Sequence, residues 1–276
     1  MSDALMSTTK VTKQFGGLVA VDSVDLELRE GSISSVIGPN GAGKSTLFNM
    51  LTGLYRPSSG RISFQGREIS RARPDRIMAM GIARTFQNIR LFPTMTAQEN
   101  VMIGQHARMR AGLTGSILRP PWVRKEERRV REHALEMLKY VGLRDDIADR
   151  LVAGLSYGDQ RRVEIARALA SDPSVLLLDE PMAGMNPIET AALSQFIRRV
   201  RDERKLTVLL IEHDMRVIMD LSEHITVLDH GVKIAEGDPE HVRSDPQVIE
   251  AYLGPDGGLG GGTARAQSKE DSDGAA

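Results

Sequence analysis

The stretch GPNGAGKST, Gly38 to Thr46, constrains the fold of this chain more than any other feature. It matches the pattern G-x-x-x-x-G-K-[ST] and lies between an apolar run and a helical pattern, which is the context the pattern requires. Glycines there let backbone N–H groups converge on phosphate oxygens, while Lys44 reaches the β- and γ-phosphates and Ser45 offers a hydroxyl to Mg²⁺. The predicted phosphate-binding residues are Gly38, Pro39, Asn40, Gly41, Ala42, Gly43, Lys44, Ser45 and Thr46.

Three short apolar runs predict the sheet that carries this loop: Ser32–Gly38, Ser174–Glu180 and Leu206–His213. Near-continuous Val, Ile and Leu is typical of strands buried on both faces of a parallel sheet. Helical patterns separate the runs, over Lys44–Thr52, Gln160–Ala170 and Ile188–Arg204. This alternation predicts an α/β fold, in which ligands bind beyond the carboxyl ends of the strands.

Two further lobes are expected around that core. The first thirty residues indicate antiparallel β-structure, which a hairpin over Gly60–Ile69 extends, and Ile225–Asp238 indicates another hairpin. Between residues 88 and 153 helical patterns dominate. We therefore expect one domain over 1–253, with a core of 1–87 and 154–253 and an inserted helical subdomain of 88–153. Residues 254–276 are Gly-rich and polar, and we expect them to be disordered.

Composition excludes several classes of function. The net charge is −1, so no overall positive charge attracts nucleic acid, and the absence of cysteine excludes disulfides and thiolate metal sites. The purest apolar runs are far shorter than the ~20 residues that span a bilayer. We therefore expect that the chain does not itself cross a membrane, although it can dock on a protein that does.

Two of the apolar runs end in groups suited to phosphate chemistry. Asp179 ends one run and can complete a Mg²⁺ shell, while Glu180 is free to polarise water as a general base. His213 ends the next run, where it can contact a γ-phosphate. The alternatives are two solvated acids that cap a strand and a structural histidine.

The stretch LSYGDQ indicates a second anion site. Ser156, followed three positions later by Asp159, predicts a helix start whose free N–H groups favour an anion. A chain with one complete phosphate loop does not by itself need this second site.

Together these motifs resemble those of the ATP-binding cassette (ABC) ATPases. LSYGDQ is similar to their signature motif LSGGQ, MAGMNP to their D-loop and IEHD to their H-loop. Gln87 in RTFQN matches the Q-loop glutamine, and Phe15 in KQFGG matches the aromatic residue that stacks on adenine. The resemblance covers about Lys10 to Leu253. It implies a P-loop NTPase with a RecA-like parallel-sheet core, an N-terminal antiparallel β subdomain and an inserted α-helical subdomain.

The resemblance also implies what the residues do. Two cassettes pack head to tail, and each ATP lies between the P-loop of one and the signature of the other, so Ser156 and Gly158 serve the second chain's nucleotide. The implied cofactors are ATP and Mg²⁺. The implied catalytic residues are Glu180, His213, Gln87 and Lys44, and the implied metal ligands are Ser45, Gln87 and Asp179.

Two residues depart from the family pattern. Asp159 stands where Gln is usual, and a carboxylate about 4 Å from a phosphate charge costs ~4 kcal/mol at an effective dielectric near 20. A capping interaction contributes only about 1 kcal/mol. The hypothesis is that Asp159 folds back to the Ser156 N–H as a capping-box acid, the alternative being a solvated carboxylate. Asn186 stands where the D-loop usually has Asp, which keeps hydrogen bonding but removes the charge.

Within the family, the chain looks like the Liv (LivG-type) ATPase subunits of branched-chain amino-acid importers. The residues that carry this resemblance are FGGLVAVDSVDLEL, ARTFQNIRLFPTMTAQENV, LSYGDQRRVEIARAL, DEPMAGMNP, LLIEHDM and AYLG. It implies a peripheral protein on the cytoplasmic face of the membrane. The implied partners are a sister cassette in a heterodimer, two permease subunits and an extracytoplasmic substrate-binding protein, with no nucleic acid.

Other functions stay open at this point. A cassette of a lipid or lipopolysaccharide exporter shares RRVEIARALA, but a shorter helical lobe is expected there. Soluble ABC proteins of translation or DNA repair carry two cassettes or a long coiled-coil insert, and neither pattern is present. The stretch 104–132 holds eight Lys or Arg against three Glu, besides Trp122. It is either a contact for permease loops or lipid head groups, or a solvated helix face.

Overall fold

Ten strands form two sheets in a computed structural model that describes residues 4–106 and 120–253. The smaller sheet is antiparallel, with the order β2-β1-β4-β5. Its strands are β1 (Ala4–Phe15), β2 (Leu18–Arg29), β4 (Ser59–Phe64) and β5 (Arg67–Glu68). This confirms the predicted antiparallel lobe and its hairpin. The two-residue turn after β1 leaves Phe15 at the end of the first hairpin.

The larger sheet has six strands in the order β10-β9-β3-β8-β7-β6. Its strands are β3 (Ile33–Ile37), β6 (Ile82–Arg84), β7 (Val175–Asp179), β8 (Thr207–Ile211), β9 (His224–Asp229) and β10 (Val232–Gly237). β3, β7 and β8 are buried along their whole length and pair in parallel, as their apolar runs predict. β9 and β10 form the predicted hairpin, and β9 also pairs in parallel with β3.

The strand β6 was not predicted. It is only three residues long, it ends in the charged Arg84, and it forms the edge of the sheet beside β7. A run this short lies below the length at which an apolar pattern indicates a strand.

Nine helices surround the sheets in the described ranges. They are α1 (Lys44–Leu51), α2 (Pro74–Ala79), α3 (Ala97–Gly104), α4 (Pro121–Tyr140), α5 (Tyr157–Leu169), α6 (Pro187–Arg204), α7 (Met215–Leu221), α8 (Pro239–Ser244) and α9 (Pro246–Leu253). α5 begins three residues earlier than its apolar pattern indicates, because Ser156 caps its first turn. α6 begins with proline at its first position, where no N–H partner is lost.

The helical region packs α3 and α4 against α5. Val101, Ala134, Met137 and Val163 belong to one buried cluster that continues to the face of the parallel sheet. The subdomain boundaries at residues 88 and 153 stay predictions. Residues 107–119, which are part of the basic stretch 104–132, and the tail 254–276 lie outside the described residues, so their predicted properties stay predictions as well.

Gly104 allows a close approach between α3 and α5. A Cβ atom at this position would collide with the backbone carbonyl of Arg167. We therefore expect Gly104→Ala to lower the free energy of unfolding by about 1–3 kcal/mol, since the helices have to separate. Urea denaturation followed through Trp122, the single tryptophan, measures this within the helical region.

Gly154→Ala is the matched control, because a Cβ atom there has no heavy atom within 4 Å. Its effect should stay within about 0.5 kcal/mol. Equal stability of the two variants would show that the α3–α5 contact adapts without cost.

Candidate active site

The predicted phosphate loop connects β3 to α1 and is shaped by glycines. Gly38, Gly41 and Gly43 have φ values of 147°, 83° and 98°, in the region that side chains rarely adopt. At Gly38 and Gly43 a Cβ atom would also collide with backbone carbonyls of Leu228 and Ala20. Both positions therefore require glycine on two grounds.

Lys44 lies folded into this loop. Its Nζ donates hydrogen bonds to the Gly38 carbonyl at 2.7 Å and the Pro39 carbonyl at 2.8 Å. Burial lowers the pKa of the ammonium, while the Glu180 and Asp179 carboxylates act in the opposite direction. A bound phosphate would therefore compete with the loop's own carbonyls for the ammonium.

The residues Gln87, Glu180 and His213 meet at the carboxyl ends of β7 and β8. The Glu180 Oε1 lies 2.7 Å from the His213 Nε2, and Glu180 Oε2 accepts a hydrogen bond from Gln87 Nε2 at 2.9 Å. Three residues predicted to act together are thus in direct contact. Both oxygens of the central carboxylate are engaged.

The backbone of Glu180 is held in an unusual conformation. Its φ is +47°, which costs a non-glycine residue on the order of 1–3 kcal/mol. The Glu180 N–H donates to the Ile211 carbonyl of β8 at 2.9 Å, which fixes the turn. Strain of this kind is concentrated at functional sites.

Ser45, Gln87 and Asp179, the three predicted metal ligands, line one cavity of about 370 Å³. Asp179 Oδ2 accepts a hydrogen bond from Arg84 Nη2 at 2.7 Å, whereas Oδ1 is buried and has no hydrogen-bond partner among the described residues. Hydroxyl, amide and carboxylate oxygens are the ligands that Mg²⁺ prefers. The side chains present therefore fit this metal.

Phe15, the predicted adenine contact, is 41% exposed at the end of the first hairpin. Tyr55 packs edge-on against it with 5.2 Å between ring centroids, and Lys13 Nζ lies 4.9 Å from its centroid. The ring is thus both fixed in place and accessible to a planar ligand.

Ser156 caps α5, but Asp159 does not form the predicted bond. The Ser156 hydroxyl accepts from the Asp159 N–H at 3.2 Å and donates to Asp159 Oδ2 at 2.9 Å. Asp159 folds back onto the hydroxyl rather than onto the Ser156 N–H, so the capping-box hypothesis was wrong on this atom. At α3, Glu99 in the equivalent position does reach the N–H of its cap residue. Aspartate is one methylene shorter and stops at the hydroxyl.

Ser156 and Gly158 line a cavity of about 400 Å³ with residues of α6 such as Glu189. The phosphate-loop residues Pro39 to Ala42 line a different cavity. In this chain the two helix starts therefore belong to separate sites.

Comparisons with known proteins identify the fold and the family. The sequence profile described as "ABC transporter" matches residues 21–183. The chain belongs to the ABC transporter family. A second profile, "Branched-chain amino acid ATP-binding cassette transporter", matches residues 232–254.

Individual relatives agree with this family. The chain is 45% identical over 254 residues to the high-affinity branched-chain amino acid transport ATP-binding protein LivG of Salmonella typhimurium, covering 92% of this chain and 99% of that protein. It is similar to the ADP conformation of the ABC transporter cassette MJ1267, with a TM-score of 0.79, 33% identity and coverage of 92% and 100% of the two chains. It is also similar to the dimeric post-hydrolysis cassette MJ0796 bound to ADP and Pi. The TM-score is 0.72 and the identity 29%, and the match covers 85% of this chain and 98% of that chain.

These findings confirm the predicted P-loop NTPase fold of an ABC ATPase and the resemblance to the Liv subfamily. Among residues 4–106 and 120–253, no helix is both long and apolar enough to cross a membrane.

The D-loop Asn186 has a clear structural role in this ABC cassette. Its Oδ1 accepts hydrogen bonds from the N–H groups of Ile188 and Glu189, each at 3.0 Å, and Glu189 Oε2 accepts from the Asn186 N–H at 3.0 Å. This is a complete capping box for α6. Asparagine is among the strongest helix-capping residues, so the family's usual charge is not needed here for the cap.

Sequence analysis missed a buried ion pair in α5, the helix that begins within LSYGDQ and is called the signature helix below. The Arg161 and Glu164 side chains are 0% and 1% exposed, and Arg161 Nη1 lies 2.7 Å from Glu164 Oε2. Arg161 donates to the carbonyls of Phe86 and Gln87 at 2.8 and 3.0 Å, and Glu164 Oε1 accepts from the N–H groups of Phe86 and Arg90 at 3.4 and 3.3 Å. The signature helix thereby holds the backbone of the segment that contains Gln87. The available signal was the position of two opposite charges on the buried face of an otherwise apolar pattern.

Glu212 is a second buried group that sequence analysis missed. Its Oε1 accepts from the Met182 N–H at 2.8 Å and its Oε2 from the His213 N–H at 3.2 Å. Burial raises the pKa of this carboxyl, while both backbone hydrogen bonds act in the opposite direction. Glu212 therefore connects the backbone at Met182, two residues after Glu180, to the backbone of His213.

The ion pair gives a direct test of this packing. Arg161→Met removes the nearer of the two arginines beside the buried Glu164 carboxylate and leaves only Arg167 Nη2, at 3.8 Å. It should lower the free energy of unfolding by up to about 3–5 kcal/mol. Arg162→Met, the matched control, changes an exposed arginine one position along the same helix and should have little effect. Chemical denaturation compares the two, and similar losses would show that the pair does not hold the loop.

Proposed function

We propose that this chain hydrolyses ATP to power the import of branched-chain or related amino acids through partner permease subunits. The observation that carries the ATPase part is the contact of Gln87 and His213 with Glu180 beside the phosphate loop. The transported class rests on similarity to branched-chain amino acid transport proteins and on the matching profile over residues 232–254. The exporter and the soluble ABC proteins lack support of that kind.

The binding of ATP is assigned to three parts of the chain. Residues Gly38 to Thr46 surround the phosphates with N–H groups, Lys44 approaches the β- and γ-phosphates, and Phe15 stacks on adenine. Ser45, Gln87 and Asp179 would hold Mg²⁺, whose charge would offset that of the phosphates. The orphan Asp179 Oδ1 supports this assignment.

Glu180 is the proposed general base. Its two oxygens are engaged by Gln87 and His213, so at least one of these contacts has to open before the carboxylate accepts a proton from water. Gln87 would then be free to ligate Mg²⁺, and His213 to contact the γ-phosphate. The proposal therefore requires a rearrangement of these contacts when nucleotide binds.

A second cassette completes each ATP site. Ser156 and Gly158 line a separate cavity from the phosphate loop, so this helix start can face a nucleotide held by another chain. The dimeric structure of the similar cassette MJ0796 supports an assembly of two cassettes. We propose a sister cassette as the partner, giving a heterodimer.

Permease subunits are proposed to hold this protein at the cytoplasmic face of the membrane, with an extracytoplasmic substrate-binding protein as the further component. A largely apolar groove of about 350 Å³ lies between α2 and α3 and next to the Gln87 segment. Leu54 and Phe92, 48% and 49% exposed, lie in its lining. Exposed apolar side chains beside the segment that contains Gln87 suit a permease contact.

Glu180→Gln tests the base. Nucleotide binding should persist because the amide keeps the size of the side chain, whereas hydrolysis should fall by about 10²–10⁴-fold. We expect an ATP-bound dimer with the sister cassette to accumulate, measured by size-exclusion chromatography. The control Glu240→Gln alters an exposed carboxylate on α8. Hydrolysis near the wild-type rate in Glu180→Gln would reject this residue as the base.

Gln87→Ala tests the link to the permease. Gln87 is proposed to contact the nucleotide's metal, and its backbone is held by Arg161 of α5. Its loss should therefore reduce transport in reconstituted vesicles more than it reduces ATP affinity. Transport and ATP affinity are measured on the same preparations. An equal loss of both would sink the proposed coupling.

A further inference from the structure

Arg84 ends the unpredicted strand β6 and lies beside the proposed metal ligand Asp179. β6 pairs in parallel with β7, and Arg84 is opposite Leu177, two residues before Asp179. Side chains two residues apart in a strand lie on the same face of the sheet. The sheet register therefore brings Arg84 and Asp179 together although 95 positions separate them in sequence.

The guanidinium of Arg84 bridges two elements of the site. Its Nη2 donates to Asp179 Oδ2 at 2.7 Å, and its Nη1 donates to Asn49 Oδ1, on the helix that follows the phosphate loop, at 2.7 Å. A longer contact of 3.4 Å reaches Thr52 Oγ1. The rings of Phe48 and Phe86 lie 5.5 and 5.0 Å away and restrict the guanidinium further.

Burial makes this pair sensitive to its geometry. The Arg84 and Asp179 side chains are 7% and 5% exposed. A buried carboxylate has a large desolvation cost that its partner offsets only when both are well placed. With Oδ2 held by Arg84, the carboxylate presents a single unpaired oxygen, Oδ1, to its surroundings.

We infer that Arg84 is a positioning residue for Mg²⁺: it anchors Asp179 by one oxygen and ties it to Asn49, so that the other oxygen is fixed for the metal. This inference rests on the proposed role of Asp179 as a metal ligand. Partners that orient metal ligands typically change metal affinity by about 10–100-fold when removed. Through Asn49, Arg84 also joins the proposed metal ligand to α1, the helix that follows the phosphate loop.

The test measures metal affinity rather than turnover. Mn²⁺ is titrated by electron paramagnetic resonance into the full chain with a bound non-hydrolysable ATP analogue, and the analogue's own affinity is measured in EDTA. Arg84→Met should weaken Mn²⁺ binding about 10-fold or more, while affinity for the analogue in EDTA stays within about twofold. A role in folding alone would not separate these two affinities.

Arg90→Met is the matched control. Arg90 lines the same cavity and stacks on the same Phe86 ring at 4.5 Å, yet its side chain forms no hydrogen bond with Asp179 in the part of the chain that the structure describes. Its metal affinity should equal that of the wild type. Equal metal affinity in Arg84→Met and wild type, or equal losses with and without metal, would overturn the inference.

Two more variants keep the result decisive. If circular dichroism shows that Arg84→Met does not fold, metal binding by Arg84→Lys is the deciding measurement. An ammonium keeps the charge but lacks the planar guanidinium that holds Asn49 and Asp179 together. It should still weaken metal binding several-fold, and unchanged binding would overturn the inference. Asp179→Asn tests the metal site itself. Unchanged metal binding there rejects the proposed site, whereas loss there without loss in the Arg84 variants rejects only the role of Arg84.

Discussion

The register of the buried parallel strands is the constraint on which the rest of this structure depends. β7 pairs with β8 so that Asp179 lies opposite Ile211, and β3 pairs with β8 so that Val36 lies opposite the same residue. Because all three strands are buried along their whole length, a slip of one residue would exchange the side chains that pack on the two faces of the sheet. The carboxyl ends of β3, β7 and β8 therefore lie at the same edge of the sheet. This edge carries the phosphate loop, Asp179, Glu180 and His213.

Buried charges connect this edge to the helical region. Arg161 and Glu164 hold the backbone on both sides of Gln87, Arg84 joins Asp179 to the first helix, and Glu212 joins the segment after Glu180 to His213. A buried charge that loses its partner is costly, so each contact resists gradual deformation. A shift of the backbone at Gln87 would therefore also shift the signature helix. The proposed transport cycle requires such a coupling between the nucleotide site and the helical region.

The sequence predicts the parallel core, the antiparallel lobe and the cluster around Glu180, because these depend on local patterns and on motifs in a known order. It does not predict β6, whose three residues are too few to show a period. The Arg84–Asp179 pair depends on which strands are neighbours, and no local pattern contains that information. The helix start at Ser156 was predicted correctly, but the Asp159 carboxylate accepts from the Ser156 hydroxyl and not from the Ser156 N–H. The prediction did not allow for the shorter side chain of aspartate compared with glutamate.

The most direct measurement is the rate of ATP hydrolysis per chain over a range of chain concentrations, alone and with a candidate sister cassette. If Ser156 and Gly158 complete the site of another chain, the rate per chain rises with concentration or with added partner and then reaches a plateau. Sedimentation of the same samples gives the fraction of dimer. A constant rate per chain at concentrations where the protein is monomeric would contradict a site shared between two cassettes.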